Sequence, residues 1–483
     1  MRRSGFACPL ALLALACGCS TAPLEPDFAP VEQLVAERTG QRVHWDQGRP
    51  EDEEARRAVL QLLGQPLTPD AAVQIALLRN AHLQATFEEL SIAQADLVQA
   101  GALANPTLGI ELRGPGRPAL PLEIHVIEDF MDVATRALRQ RVAESEVDHA
   151  RAEVTQAALE LAADVRAAFI AVQAGQQVAE LRATVVEATS ASVDAAARLV
   201  EAGNLPEVDF DHERALDGQA RLDRALAEAE LLERRERLTT LLGVWGEDTG
   251  WTIAERLPEP PATEVDAAGL ETMGIEQRLD LEASRHAIET AARQLGLTDA
   301  SALVPRLDAG VHSETEPDGV TTIGPSIDVP LPIFDTGRAR VARAQAMLRK
   351  AQQEYRAQAV AIRSEVRAAV ARMLAARTRV EYLRDVLLPL QTRLVEQTQM
   401  LYNGMQVGVF ELLRSKQDEI DAGRDSLEAL ADYWQARTEL ERAVGGRLQA
   451  TVDHDDIRPS VEPSGEPVPE HEHQHAPEHG DHP

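Results

Sequence analysis

Apolar residues at Ile362, Val366, Ala369, Met373, Ala376, Val380, Leu383, Leu387, Leu390 and Leu394 recur in steps of three and four. This is the heptad rhythm of a helix packed lengthwise against others, and it predicts one helix from Arg338 to Tyr402. At 1.5 Å per residue such a helix is on the order of 100 Å long, far more than a compact domain needs. Pro389 falls inside it and predicts a local interruption. Immediately upstream the period changes to two. Ile323, Pro325, Ile327 and Val329 alternate with Thr322, Gly324, Ser326 and Asp328, while Leu307, Ala309 and Val311 alternate with Asp308, Gly310 and His312. With Pro317-Asp318-Gly319 between them, these segments predict a hairpin with one apolar and one polar face.

The same order of elements occurs earlier in the chain. Thr68-Pro69-Asp70 supplies an N-cap and a proline in the first turn of a helix reaching Ala100. Leu108, Ile110 and Leu112 alternate with Gly109, Glu111 and Arg113; after Gly114-Pro115-Gly116, Leu122, Ile124 and Val126 alternate with Glu123 and His125. A helix follows from Val133 to about Ala202, Gly203-Asn204-Leu205-Pro206 breaks it, and a return helix runs from Glu207 to Leu242. In the second half a helix from about Leu270 to Leu297 precedes the hairpin, Asn403-Gly404 breaks the long helix, and the return helix spans Val409 to Val444. Pro106 with Pro305, Phe130 with Phe334 and Gly203 with Gly404 align at an offset of about 200. An internal duplication follows, with repeats at 67–243 (strands about 106–129) and 268–447 (strands about 305–330). They are separated by an interruption at 244–267, whose Pro258-Glu259-Pro260-Pro261 cannot lie inside a helix. Residues 20–66, anchored by Leu34, Val43 and Trp45, read as a tether over the rest, and 448–483 as a disordered tail.

Composition narrows the function. Aromatic residues are only 3% of the chain, and the net charge of −31 argues against a nucleic-acid partner. The three cysteines, Cys8, Cys17 and Cys19, lie in the first nineteen residues, so nothing downstream can form a disulfide or a cysteine-ligated zinc site. Arg2-Arg3, the apolar run Phe6–Ala16 and the small residues after it make 1–19 a secretory signal. A small residue precedes both Cys17 and Cys19, as at a bacterial lipoprotein cleavage site. Cys19 is favoured by Gly18 before it and Ser20 after it. An ordinary signal peptide carrying incidental cysteines is the alternative.

An isolated hairpin is not stable alone in water. Two-faced strands of this length match those of outer-membrane barrels, but four cannot close one, since roughly eight is the minimum. Open edges cannot sit in lipid. Strands that span a membrane here therefore require an oligomer sharing one barrel. Its net acidic lumen would be lined by Glu111, Arg113, Glu123, His125, Asp308, His312, Ser326 and Asp328. The alternative is two soluble hairpins packed on helices.

Three stretches carry a family resemblance when taken in order: Asn105-Pro106-Thr107-Leu108; Leu331-Pro332-Ile333-Phe334-Asp335-Thr336-Gly337-Arg338; and Tyr402-Asn403-Gly404 with Glu411-Leu412-Leu413. From Leu67 to Gly446 the chain resembles the outer membrane factor (TolC-type) efflux family. The resemblance implies an α+β membrane protein. It is a homotrimer in which each protomer gives four strands to a shared transmembrane β-barrel, continued by a long periplasmic α-helical coiled-coil barrel. It implies outer-membrane localisation, partnership with a periplasmic adaptor and an inner-membrane pump, and no catalysis. The two helix breaks become the periplasmic tip that constricts the channel and docks the adaptor, with Gly203, Asn204, Pro206, Asp209, Gly404 and Glu411 as its residues. Arg414 stands where an acidic or small residue is commoner in the family. Ala202 to Asp209, with Arg278-Leu279-Asp280-Leu281, looks like the heavy-metal cation branch.

No cofactor is implied, although His471, His473, His475, His479 and His482 form a set that can bind divalent metal weakly and unselectively. The expected function is an outer-membrane exit channel for heavy-metal cations. The alternatives are a duct for drugs or other small molecules and, from another class, a periplasmic coiled-coil scaffold or adaptor. An enzyme is not expected, because no phosphate loop or nucleophile motif is present.

Overall fold

The computed structural model describes residues 23–112, 122–254, 256–316 and 318–448. The signal segment with Cys17 and Cys19, Arg113, the Gly114-Pro115-Gly116 turn, Pro317 and the five tail histidines lie outside them.

The segment expected to be a tether folds into two helices, α1 (Ala29–Thr39) and α2 (Pro50–Leu63). Val31, Val35, Val43, Trp45 and Val59 are buried in the main core, where Phe28, Trp45 and Phe87 stack with ring centres 5.0–6.2 Å apart. Thr68 caps the next helix, accepting from the Ala71 amide at 3.1 Å, and Pro69 stands at its first position. That helix is not continuous to Ala100. It divides into α3 (Pro69–Arg79) and α4 (Ala81–Gly101) at Asn80, which is extended. The second repeat divides in the same way at Arg278, between α7 (Leu270–Gln277) and α8 (Leu279–Ala300).

The hairpins are β1 (Thr107–Leu112) with β2 (Leu122–Asp129), and β3 (Asp308–Thr315) with β4 (Thr321–Asp328). They join into one antiparallel sheet in the order β1-β2-β3-β4. Strand β2 enters α5 (Phe130–Glu201) without a loop, whereas β4 reaches α9 (Arg338–Tyr382) through residues 329–337. Each long helix turns back into a return helix, α6 (Glu207–Leu242) or α11 (Val409–Val444), of 36 residues apiece. With 72 residues, α5 is about 110 Å long.

The long helices pack side by side. Helix α5 packs along α4 and α8 toward the sheet and along α6 and α11 toward the turns; α9 packs on α8 and α11. Apolar side chains gather midway along the long helices, in one cluster under α1–α4 and a second around Ile170, Met373 and Tyr433. Elsewhere the buried positions of α5 are mostly small or polar, among them Ala143, Ser145, Ala152, Thr155, Gly175 and Gln177.

Pro389 acts as expected, with a consequence for the seam. A proline cannot donate to the carbonyl four residues back. Residues Leu383–Leu387 therefore form a π-helical turn before α10 (Leu388–Asn403). The turn inserts one extra residue and rotates everything after it. Ile362, Val366, Ala369, Met373, Val380 and Leu383 are buried as the heptads predict, but Leu390 and Leu394 are exposed and Val395 is buried instead. Past the bulge the seam runs one residue out of step.

Candidate channel wall and periplasmic tip

Strand register decides which side chains share a face. Leu108, Val126, Val311 and Pro325 form one row across all four strands. Ile110, Ile124, Ser313 and Ile323 form the next on the same side. The opposite face carries Gly109-His125-His312-Gly324 in one row, Glu111-Glu123-Glu314-Thr322 in another, and Asp129-Asp308-Asp328 beside the helices. Every described residue expected on the polar wall lies on that face: Glu111, Glu123, His125, Asp308, His312, Ser326 and Asp328.

Exposure is inverted relative to a soluble sheet. Leu108, Ile110, Leu112, Val126, Val311, Ile323 and Ile327 are 44–71% exposed, while on the polar face Glu123, His125, Asp308 and His312 are half-buried and Glu111, Thr322 and Asp328 exposed. The sheet presents most of its apolar side and half-buries only the middle of its polar side, so the hairpins do not pack their apolar faces on helices. The aspartate row has local duties. Asp129 caps α5 through the Met131 amide (2.9 Å) and accepts from the Leu307 amide (3.2 Å), and Asp308 pairs with Arg306 at 2.6 Å.

At the far end of the wall the two turns are superposable in hydrogen bonding. Gly203 donates to the Val200 carbonyl and Asn204 to that of Leu199; Met405 donates to Tyr402 and Gln406 to Leu401. The counterpart of Gly203 is thus Met405, not Gly404. Gly203 takes the left-handed conformation at φ 74°, whereas Gly404 has φ −80° and the positive angle, 55°, falls on Met405. The strain a glycine would relieve is borne there by an exposed methionine. Pro206 caps α6, and Asp209 lies one turn in, lining a cavity of about 150 Å³ with Leu199, Leu205, Tyr402 and Val409. Glu411 and Arg414 are exposed. Two carboxylates that the sequence did not single out lie just behind. Glu213 is buried and accepts from Ser192 at 2.7 Å. Asp217 accepts from Arg221 (2.7 Å), Ser190 and Thr189, and the Arg221 bond foremost holds its carboxyl below the usual range. Their spacing of four residues on α6 was the available signal, but a solvated helix face reads the same way.

Residues 273–446 match the family model described as outer membrane efflux protein. Over 402 residues, 79% of this chain and 90% of the relative, the sequence is 27% identical to the cobalt-zinc-cadmium resistance protein CzcC of Cupriavidus metallidurans. The solved CmeC outer membrane channel of Campylobacter jejuni superposes with a TM-score of 0.67 at 13% identity, over 90% of this chain and 95% of that one. CusC, described by its conformational changes on folding and transmembrane channel formation, superposes at 0.66 and 15% identity, over 81% of this chain and 92% of its own. The chain is thus similar to outer membrane efflux proteins in sequence over residues 273–446 and to solved outer membrane channels in fold over 81–90% of its length.

The interruption at 244–267 is bound to the wall by charge. The Glu264 carboxylate accepts from Arg377 (2.9 Å), Arg437 (3.0 Å) and the Tyr433 hydroxyl. Burial and that bond push the Tyr433 hydroxyl up to about 12. Trp434 donates to the Pro258 carbonyl at 2.7 Å, and Arg384, within the π-helical turn, reaches Glu259 at 3.2 Å. The duplication extends to one contact invisible in sequence. Gly243 ends α6 at φ 68° with its α-carbon against the Arg79-Asn80 break, where a Cβ would lie 2.9 Å from a backbone oxygen. Gly445 ends α11 at φ 81° against the Gln277-Arg278 break, where a Cβ would lie 3.1 Å from backbone atoms. Each return helix thus closes on the kink of its own repeat.

Proposed function

We propose that this chain is the outer-membrane exit duct of a tripartite efflux system, working as a homotrimer with a periplasmic adaptor and an inner-membrane pump, and that its cargo is heavy-metal cations. The observation that carries the duct is the sheet with its apolar side largely exposed and the middle of its polar side half-buried. In water that arrangement is costly, since burial favours apolar surface at about 25 cal/mol per Å². In lipid it is the arrangement required of a barrel wall. Strands β1 and β4 are open edges, and open edges in lipid must be paired, so three copies would close one barrel. The helical wall is likewise open at α4 and α9 above and at α6 and α10 below. Exposed Leu222, Leu226 and Leu232 on α6 and Val360 on α9 offer apolar surface to neighbouring copies.

The metal cargo is supported by CzcC, whose name is that of a cobalt-zinc-cadmium resistance protein, and by the acidic, histidine-bearing polar face, which favours cations electrostatically. The tip residues Gly203, Asn204, Pro206, Asp209, Gly404 and Glu411 are read as the gate and adaptor dock, and Cys19 or Cys17 as the lipid anchor. The tail histidines 471–482 are read as a collector of divalent metal. An adaptor or scaffold role is disfavoured by the duplicated helix-hairpin unit. The test is to delete the gene in a host dependent on the system for zinc, cobalt or cadmium tolerance. Tolerance falls, and the wild-type protein fractionates with the outer membrane as a heat-sensitive oligomer. A soluble monomer would sink the duct; an outer-membrane oligomer without metal sensitivity would sink only the cargo.

A further inference from the structure

The row Gly109-His125-His312-Gly324 sets two histidines directly opposite each other on adjacent strands with glycine on both flanks. Residues directly opposite in an antiparallel pair hold their Cβ atoms about 5 Å apart, close enough for both rings to reach one ion at the roughly 2.0–2.1 Å of a zinc–nitrogen bond. The glycines supply the space. The His125 ring is turned away from His312 and lies over Gly109, where a Cβ would sit 2.1 Å from Nε2, so sharing an ion requires it to swing back across its strand; beyond Gly324 there is open room. The neighbouring row supplies carboxylates: Glu123 Oε1 is 3.3 Å from His312 Nδ1, and Glu314 Oε2 is 3.7 Å from His312 Nε2. A carboxylate against a ring nitrogen fixes the tautomer and orientation of the imidazole.

From this geometry we propose that His125 and His312, supported by Glu123 and Glu314, form a transit site for a late first-row divalent cation such as Zn(II) or Co(II) on the polar face of the sheet. Imidazole suits these metals, and the carboxylates add charge without making the site soft. Among the described residues no three His, Cys, Asp or Glu side chains are arranged to hold a metal. The site is thus two imidazoles with carboxylates in reserve, and such a site releases what it binds. That is what a conducting path requires, since an ion must enter favourably and still leave. The aspartate row differs, because Asp129 and Asp308 are committed to the Met131 and Leu307 amides and to Arg306.

The inference rests on the polar face lining a lumen, and the experiment separates the two. The full chain is compared with His125→Asn, His312→Asn and Glu123→Gln, all carrying asparagine at the five tail histidines so that the tail contributes no signal. Co(II) absorption and Zn(II) titration are read on the detergent-solubilised oligomer, and Zn(II) block of monovalent current is read in planar bilayers. Either histidine change is expected to lower affinity at least tenfold, and Glu123→Gln about tenfold. Glu128→Gln, on the opposite face, changes nothing. Equal Zn(II) and Co(II) binding in oligomeric wild type and both histidine variants would overturn the site. Histidine-dependent binding with no effect of Zn(II) on current would uphold the site and overturn its place in a lumen. A variant that fails to assemble is replaced by the corresponding glutamine.

Discussion

Replacing Glu264 by glutamine keeps the shape of the equatorial clamp and removes its charge. Glu264 and Arg437 are each 11% exposed, so little water is available to compensate. Arg377 keeps Glu381 at 2.8 Å. Arg437 is left with the Tyr433 hydroxyl at 3.3 Å, the Trp434 ring at 5.9 Å and the field of Glu441. Stranding one partner of a buried pair costs about 3–5 kcal/mol. Because one of the two guanidiniums stays paired and the amide oxygen still accepts, about 2–3 kcal/mol is expected for Glu264→Gln. That corresponds to roughly a 30- to 150-fold increase in local opening. The loss should be confined to the segment, whose other ties include Arg377 to the Ala262 carbonyl, Trp434 to the Pro258 carbonyl and Arg384 to Glu259. Hydrogen exchange on the detergent-solubilised protein measures it directly, because amide protection reports local opening free energy. Amides of residues 257–267 should exchange 30- to 150-fold faster while those in the middle of α5 do not change. Unaltered exchange at 257–267 would show that the clamp contributes nothing beyond packing, and the reasoning would fail.

The Tyr433 hydroxyl makes the same region alkali-sensitive. Its folded pKa is raised from 10.0 to about 12, so its contribution is complete below pH 10 and disappears as pH rises through about 12. Tyr433→Phe should flatten the stability profile between those values, as followed by thermal unfolding against pH. Gly243→Val and Gly445→Val should each cost more than about 2 kcal/mol, from a left-handed φ plus backbone overlap, whereas Gly203→Ala, with open space at its Cβ, should cost about 1 kcal/mol; chemical denaturation ranks them. Val395→Ala should destabilise by about 1.5 kcal/mol and Leu394→Ala by much less, and the reverse order would refute the shifted seam. Replacing Cys17 and Cys19 together should abolish incorporation of radiolabelled palmitate, and labelling that persists would remove the lipid anchor.

Periodicity alone carried much of the architecture: the duplicated order of elements, the two faces of each strand and the position of both turns. It carried them because each rests on local spacing. What escaped rests on contacts between distant residues. Asn80 interrupts a helix whose apolar pattern continues, because its side chain both caps α4 through the Leu83 amide and donates to the Leu241 carbonyl at 2.8 Å. Arg278 interrupts the second-repeat helix without a side-chain cap, its guanidinium held by Asp280 and Glu365. The exchange of Gly404 for Met405 as the strained tip residue shows a different limit. A glycine beside a turn suggests where the backbone can reverse, but the hydrogen bonds to Leu401 and Tyr402 decide which residue does so. The Pro389 interruption was visible, yet not that it moves Leu394 off the seam.

The two connections from sheet to wall are mechanically unequal. Strand β2 passes straight into α5, with Asp129 tying the junction to the Leu307 amide, so the α5–α6 pair is a strut fixed at its upper end. Strand β4 reaches α9 through residues 329–337, where Leu331, Ile333 and Phe334 stand exposed, and the same limb carries the π-helical turn halfway down. One limb of each protomer is a mast and the other a lever with two joints. The proposed tip is therefore expected to move on the Met405 side, with the Gly203 side as the frame against which it moves.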